Sequence, residues 1–207
     1  MSEKLNIIES ELYPNLTWHQ GKVNRKDRER LINQNGLIFW FTGLPASGKS
    51  TIAAAFEKRL SEMGKLAYLL DGDNIRYGLN SDLGFSEEDR FENIRRIGEV
   101  ATLFQDAGLI VLVAFISPFR QGRNDVRRKV DAGRFIEVYV KADLQTCMER
   151  DPKGLYQKAL KGEIQEFTGI SSTYEEPTNP EIILDTGEVS VEQSTEILVN
   201  YLLKGDN

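Results

Sequence analysis

Sulfur and imidazole are scarce in this chain: Cys147 is the single cysteine and His19 the single histidine among 207 residues. One thiol makes no intramolecular disulfide and no cysteine metal cluster, and such usage suits a reducing, cytoplasmic compartment. Long apolar runs are missing too. Leu109 to Ile116 is the longest, far short of the ~20 residues that cross a bilayer. Met1-Ser2-Glu3-Lys4 lacks the apolar core of a signal peptide. Positive charge is in deficit, with 26 Lys and Arg against 32 Asp and Glu, net −6. That balance argues against a dedicated nucleic-acid binder, which is usually basic, but leaves room for a local basic pocket. Repeats and low-complexity stretches are absent. With 40% hydrophobic and 28% charged residues, the composition is that of one globular domain.

Short apolar runs alternate with longer amphipathic segments. Leu37–Phe41 reads as a buried strand ending at a glycine turn. From Lys49 to Met63, Ile52, Phe56, Leu60 and Met63 share one helical face, and Gly64 stands at the stop. Leu66–Leu70 is a second strand. Ser86 with Asp89 marks a helix start, with Ile94, Ile97, Ala101 and Phe104 inward and Gly108 as the stop. Leu109–Phe115, Phe135–Val140 and Ile182–Leu184 complete five strands, with helices over Gln121–Val130, Asp143–Arg150 and a last one after the Ser190/Gln193 capping box. That helix carries Ile197, Leu198 and Leu202. The alternation implies an α/β fold, a five-stranded parallel sheet with helices on both faces. Residues 1–35 form a polar N-terminal extension packed on the domain or on a partner subunit, and 36–207 the domain proper. Residues 151–180 hold three prolines and no strand pattern. A connection that long is usually functional, here a lid.

Gly43-Leu44-Pro45-Ala46-Ser47-Gly48-Lys49-Ser50 matches the phosphate-loop pattern G-x-x-x-x-G-K-[ST], between a strand and a helix as required. Backbone N–H groups of such a loop wrap a phosphate, and the helix N-terminus adds a favourable dipole. Lys49 neutralises the β and γ phosphates, and Ser50 ligates Mg²⁺. A triphosphate is therefore the expected ligand. ATPases, GTPases and kinases share this loop, so the reaction stays open.

The second strand runs into Asp71-Gly72-Asp73-Asn74-Ile75-Arg76. Ligands of open α/β sheets sit at the carboxyl ends of strands. Asp73 there can hold a hydroxyl for attack and take its proton, Asp71 can contact the Mg²⁺ shell, and Arg76 can hold an anion. The same dipeptides also make a plain surface turn. The third strand ends at Phe115-Ile116-Ser117-Pro118-Phe119-Arg120 without the aspartate of a motor or switch protein. Residues 90–134 carry nine basic and five acidic side chains. Arg90 and Arg120 are candidates for a substrate anion, whereas Arg127 to Arg134 read as a solvated helix face. His19, beside Trp18, reads as structural. Cys147 and Trp40 read as core.

Together these segments resemble the adenylyl-sulfate kinase (APS kinase) family of P-loop kinases over nearly the whole chain. The resemblance is carried by Gly43–Thr51, Leu70–Arg76, Gly84-Phe85-Ser86 with Asp89-Arg90, and Glu92–Arg96. It continues through Phe115–Arg120, Arg150–Tyr156, Phe167–Ile170 and Tyr174-Glu175. It implies a single P-loop NTPase domain that uses ATP and Mg²⁺ to phosphorylate the 3′-hydroxyl of adenosine 5′-phosphosulfate, giving PAPS and ADP in sulfate assimilation. By similarity Asp73, Asn74 and Arg76 lie on the sulfonucleotide, and Phe85 and Phe167 sandwich its adenine. Arg90 and Asn93 contact the nucleotide, Ile116 and Ser117 line its site, and Lys153 belongs to the lid. A homodimer and functional coupling to ATP sulfurylase are further implications. Two positions depart from the family pattern: Gly122 and Ser171 stand where acids are usual. The family also carries a reading of Ser117 as a phosphoserine intermediate. With no histidine near it in sequence, direct in-line transfer is the favoured expectation. Two rival readings remain: a related kinase for another hydroxyl acceptor, such as a sugar acid or nucleoside monophosphate, and a nucleotide-binding regulatory module.

Overall fold

The computed structural model describes residues 21–205, together with 15, 17 and 19. Trp18 and residues 1–14, 16 and 20 of the N-terminal extension lie outside the described residues. Five parallel strands form one sheet in the order β2-β3-β1-β4-β5. They are β1 (Leu37–Thr42), β2 (Ala67–Asp71), β3 (Ile110–Ala114), β4 (Phe135–Lys141) and β5 (Ile182–Asp185). β1 is central, pairing Leu37 with Ile110 on one side and Ile38 with Phe135 on the other.

Side chains alternate across a strand, so β1 feeds two cores. Phe39 and Phe41 join Ile52, Phe56, Leu60, Leu198 and Leu202 on one face. These come from α2 (Lys49–Glu62) and α8 (Val191–Gly205). Ile38 and Trp40 join Ile94, Ile97, Ala101 and Val126 on the other face. These come from α4 (Glu87–Asp106) and α5 (Arg120–Arg127). All five expected strands are present, each within a residue or so of its expected ends, and Phe104 is one of the partly buried residues beside the second core.

Three short helices are not visible in the sequence pattern. α1 (Arg25–Ile32) has a capping box between Asn24 and Asp27. It is held on the domain by buried polar groups: Glu29 accepts the Gly36 N–H at 2.9 Å, and the Gln34 amide donates to Leu66 O and Gly108 O, each at 2.9 Å. α3 (Gly72–Arg76) directly succeeds β2, with Asp71 as its N-cap. α6 (Leu144–Arg150) is the helix expected there, but α7 (Leu155–Leu160) lies within the segment read as a lid.

The reading of Arg127–Arg134 as a solvated face holds for Arg128 and Lys129, which are exposed, and is corrected at its two ends. Arg127 pairs with Glu181 and Glu137, and Arg134 with Glu29, so both pin elements together. Among the described residues no helix is long and apolar enough to cross a membrane.

Candidate active site

The C-terminal ends of β1, β3 and β2, neighbours in the sheet, each release a loop that carries candidate residues. Beyond β1 the chain enters the phosphate loop. Gly48 N-caps α2 at φ +101, a left-handed conformation that glycine takes freely. Ser47 is buried, and its carbonyl accepts from Thr186 Oγ1 at 3.1 Å, which itself accepts from Arg150 at 2.8 Å. Lys49 is buried and folded back, donating to Gly43 O at 3.0 Å and Leu44 O at 2.7 Å. Burial pushes its ammonium down to about 8, because desolvation disfavours charge. Ser50 and Thr51 are exposed on the first turn.

Beyond β2, Asp71 accepts from Ser50 Oγ at 2.6 Å and from the Asp73 N–H at 3.0 Å. One carboxylate thus links the phosphate loop's hydroxyl to the start of α3. Asp73 and Asn74 are exposed on α3, and Lys153, just before α7, is ion-paired with Asp73. Arg76 donates to Leu83 O at 3.1 Å and Gly84 O at 2.9 Å, and its guanidinium lies 4.4 Å from the Phe85 ring centroid. Burial lowers its pKa. In this structure Arg76 shapes the Phe85 turn.

Arg90, buried in α4, joins two distant turns. It donates to Phe85 O at 2.8 Å, and across the site to Thr168 Oγ1 at 2.8 Å and Glu166 O at 2.5 Å. Phe85 is exposed, whereas Phe167 is buried edge-on against Tyr156 with centroids 4.9 Å apart. The Tyr156 hydroxyl donates to Pro45 O at 3.0 Å, which ties the 151–180 segment to the phosphate loop. Asn93 is buried and accepts from Asn80 at 2.8 Å.

Beyond β3, Ile116 O accepts from Thr42 Oγ1 at 2.7 Å. Ser117 is 2% exposed, with φ +40, and its Oγ accepts from Trp40 Nε1 at 3.0 Å. Trp40 is core, as expected, and also holds this serine. Arg120 donates through Nε to Glu176 O at 2.6 Å. Cys147 is buried, as expected, and His19 is exposed.

The loops after these three strand ends carry hydroxyl, carboxylate and cationic side chains. The family model of adenylylsulphate kinase matches residues 35–185. The chain belongs to the adenylyl-sulfate kinase family. It is 57% identical over 189 residues to a probable adenylyl-sulfate kinase of Halalkalibacterium halodurans, covering 91% of this chain and 94% of that one. Among solved structures, Mycobacterium tuberculosis APS kinase in complex with AMPPNP and APS superposes with TM-score 0.78 at 49% identity, covering 83% of this chain and 99% of that one. A hexameric APS kinase from Thiobacillus denitrificans superposes with TM-score 0.65 at 32% identity, covering 87% of this chain and 32% of that one.

Within the family frame, the two departures have local explanations. Gly122 lies where α5 crosses α4, and a Cβ there would stand 3.2 Å from Ile94 Cγ2. Ser171 Oγ accepts the Phe167 N–H at 2.9 Å and so braces that turn. The sequence pattern does not single out Thr42, Tyr156, Thr168 or Arg123, whose roles rest on contacts with distant residues. Tyr156 and Thr168 do fall inside or beside the motifs that carry the resemblance.

Proposed function

We infer that the chain transfers the γ-phosphoryl group of ATP to the 3′-hydroxyl of adenosine 5′-phosphosulfate, giving PAPS and ADP. The observation that carries this acceptor is Arg90, which bonds the turns of both Phe85 and Phe167 beside the phosphate loop. Two aromatic residues brought to one place suit a flat base. A sugar acid would have no use for them, and a regulatory module would have no use for Asp73 and Lys153 beside them.

In this reading the 3′-oxygen attacks the γ-phosphorus as the bond to the ADP oxygen breaks. Asp73 orients the hydroxyl and receives its proton, late in a loose transition state. Lys153 leaves its ion pair with Asp73 to meet phosphate charge. Lys49 and the phosphate-loop N–H groups hold the polyphosphate, over residues 43–51. Arg76, Asn74, Asn93 and Ile116 bound the acceptor.

The donor set also fits Mg²⁺: Ser50 Oγ and the Asp71 carboxylate are hard oxygen ligands 2.6 Å apart. Among the described residues no cluster of three acidic, histidine or cysteine side chains could hold a metal by itself, so a bound ion would draw its remaining ligands from the nucleotide and solvent. Bound there, the ion neutralises charge on the transferring group.

Direct transfer is favoured over a phosphoserine at Ser117. That hydroxyl is buried, accepts from Trp40 Nε1 and, among the described residues, has no hydrogen bond to a carboxylate or imidazole. A cytoplasmic homodimer, working beside ATP sulfurylase, completes the proposal. Its test is ADP release from Mg·ATP with adenosine 5′-phosphosulfate, AMP, gluconate or no acceptor. Turnover with the sulfonucleotide far above the other three supports it, and a preference for gluconate or AMP contradicts it.

A further inference from the structure

α5 carries an arginine that the substrate does not explain. Arg123 is 1% exposed, and its guanidinium bonds in three directions. It donates to Glu137 Oε1 on β4 at 2.6 Å, to Ser117 O at 2.6 Å and to Glu175 O at 2.8 Å. Ser117 holds a left-handed conformation at φ +40, which is unfavourable for a residue with a Cβ. Something must hold it there. Trp40 takes its hydroxyl and Arg123 its carbonyl.

Glu175 stands where the lid segment rejoins the domain. Its N–H donates to Pro118 O at 2.8 Å, and its carboxylate accepts the Arg120 N–H at 2.8 Å. The hydroxyl of the preceding residue, Tyr174, meets Thr42 Oγ1 at 3.0 Å. A single planar fork therefore spans the strained wall after β3 and the returning foot of the lid. An arginine serves three acceptors in fixed directions, whereas a lysine is a point charge on a flexible stem. Glu137 supplies the counter-charge that a buried guanidinium needs.

We propose that Arg123 is a positioning residue for the acceptor, clamping the Ile116–Ser117 wall to the foot of the lid. It touches no reacting atom and acts through Ser117 and Glu175. The proposal rests on the reading of Ile116 and Ser117 as acceptor wall.

The test is steady-state kinetics of the full chain with each substrate varied, on Arg123→Lys in wild-type and Ser117→Gly backgrounds. Arg123→Lys keeps the charge beside Glu137 but loses the fork. It should raise the KM for adenosine 5′-phosphosulfate about tenfold, the scale of one lost charge-assisted bond, and leave the KM for Mg·ATP almost unchanged. Glycine adopts φ +40 unaided, so the same substitution should cost less in the Ser117→Gly background. An unchanged acceptor KM, a rise shared equally by ATP, or the same cost in both backgrounds overturns the proposal. Should Arg123→Lys fail to fold, Glu137→Gln keeps the guanidinium and loosens its hold. A selective rise in acceptor KM then supports the clamp, and its absence overturns it. Wild-type protein inactive with adenosine 5′-phosphosulfate would overturn the acceptor reading itself, before any variant is compared.

Discussion

The Ser50 hydroxyl donates to Asp71 Oδ2 at 2.6 Å, tying the first turn of α2 to the end of β2. These are the two side chains assigned to Mg²⁺, and β3 next to β2 offers no terminal aspartate. Asp71→Asn should therefore shift the Mg²⁺ dependence. The concentration for half-maximal rate should rise about tenfold to a hundredfold, the usual cost of an outer ligand, with kcat recovering at saturating Mg²⁺. A variant dead at every Mg²⁺ concentration would move Asp71 into the chemistry.

Asp73 is exposed and paired with Lys153. Asp73→Asn keeps the shape and removes the charge. Its kcat should fall about a hundredfold, the lower end for a proton-accepting group, with ATP affinity nearly unchanged. Equal loss of ATP binding would show that the ion pair organises the nucleotide site instead.

The two aromatics should behave differently, because one is exposed and the other is packed on Tyr156. Phe85→Ala should weaken acceptor binding by about 1–3 kcal/mol, the scale of base–aromatic stacking, without changing Tm. Phe167→Ala should weaken the acceptor and also lower thermal stability, because it empties a buried site. Acceptor KM, ATP KM and Tm of both variants decide this. A rise confined to the ATP KM would show the pocket to be misassigned.

Burial holds Lys49 at about 8, against an ordinary 10.5. A group whose folded pKa lies below its unfolded one lowers stability most at low pH. Here the penalty is full below about 8 and is relieved as pH rises toward 10.5. Lys49→Met should therefore raise Tm at pH 7 while cutting kcat about a hundredfold or more. In wild-type protein, nucleotide affinity should weaken as pH climbs through 8, because the phosphates need the ammonium. In the variant that pH dependence should vanish. Calorimetric titration with ADP from pH 6.5 to 9.5 reads the affinity, and thermal unfolding at pH 7 reads the stability.

Periodicity and punctuation carried most of the fold. Phe39 and Phe41 against Ile38 and Trp40 mark a strand buried on both faces, and the Gly48-Lys49-Ser50 turn marks the start of the next helix. α1 has no apolar stripe and so leaves no periodic signal. Glu29 and Gln34 hold it by bonds to residues far along the chain. α7 is six residues long inside a proline-containing connection. The nucleotide side of the site was legible because its residues are consecutive. The acceptor side was legible only as motifs. That Arg90 joins two turns, and that Arg123 reaches both Ser117 and Glu175, depends on contacts between segments up to 78 residues apart. Glu137 sits in a run that reads as core strand, so its burial beside two arginines leaves no local signature.

The position that receives the phosphate decides the activity most directly. Purified protein should be incubated with Mg·ATP and adenosine 5′-phosphosulfate, and the product analysed by mass spectrometry and ³¹P NMR against ADP formed. One new phosphate monoester on the 3′-oxygen is expected for each ADP released, with the phosphosulfate intact. ADP without a phosphorylated sulfonucleotide, or phosphate on any other oxygen, would contradict it.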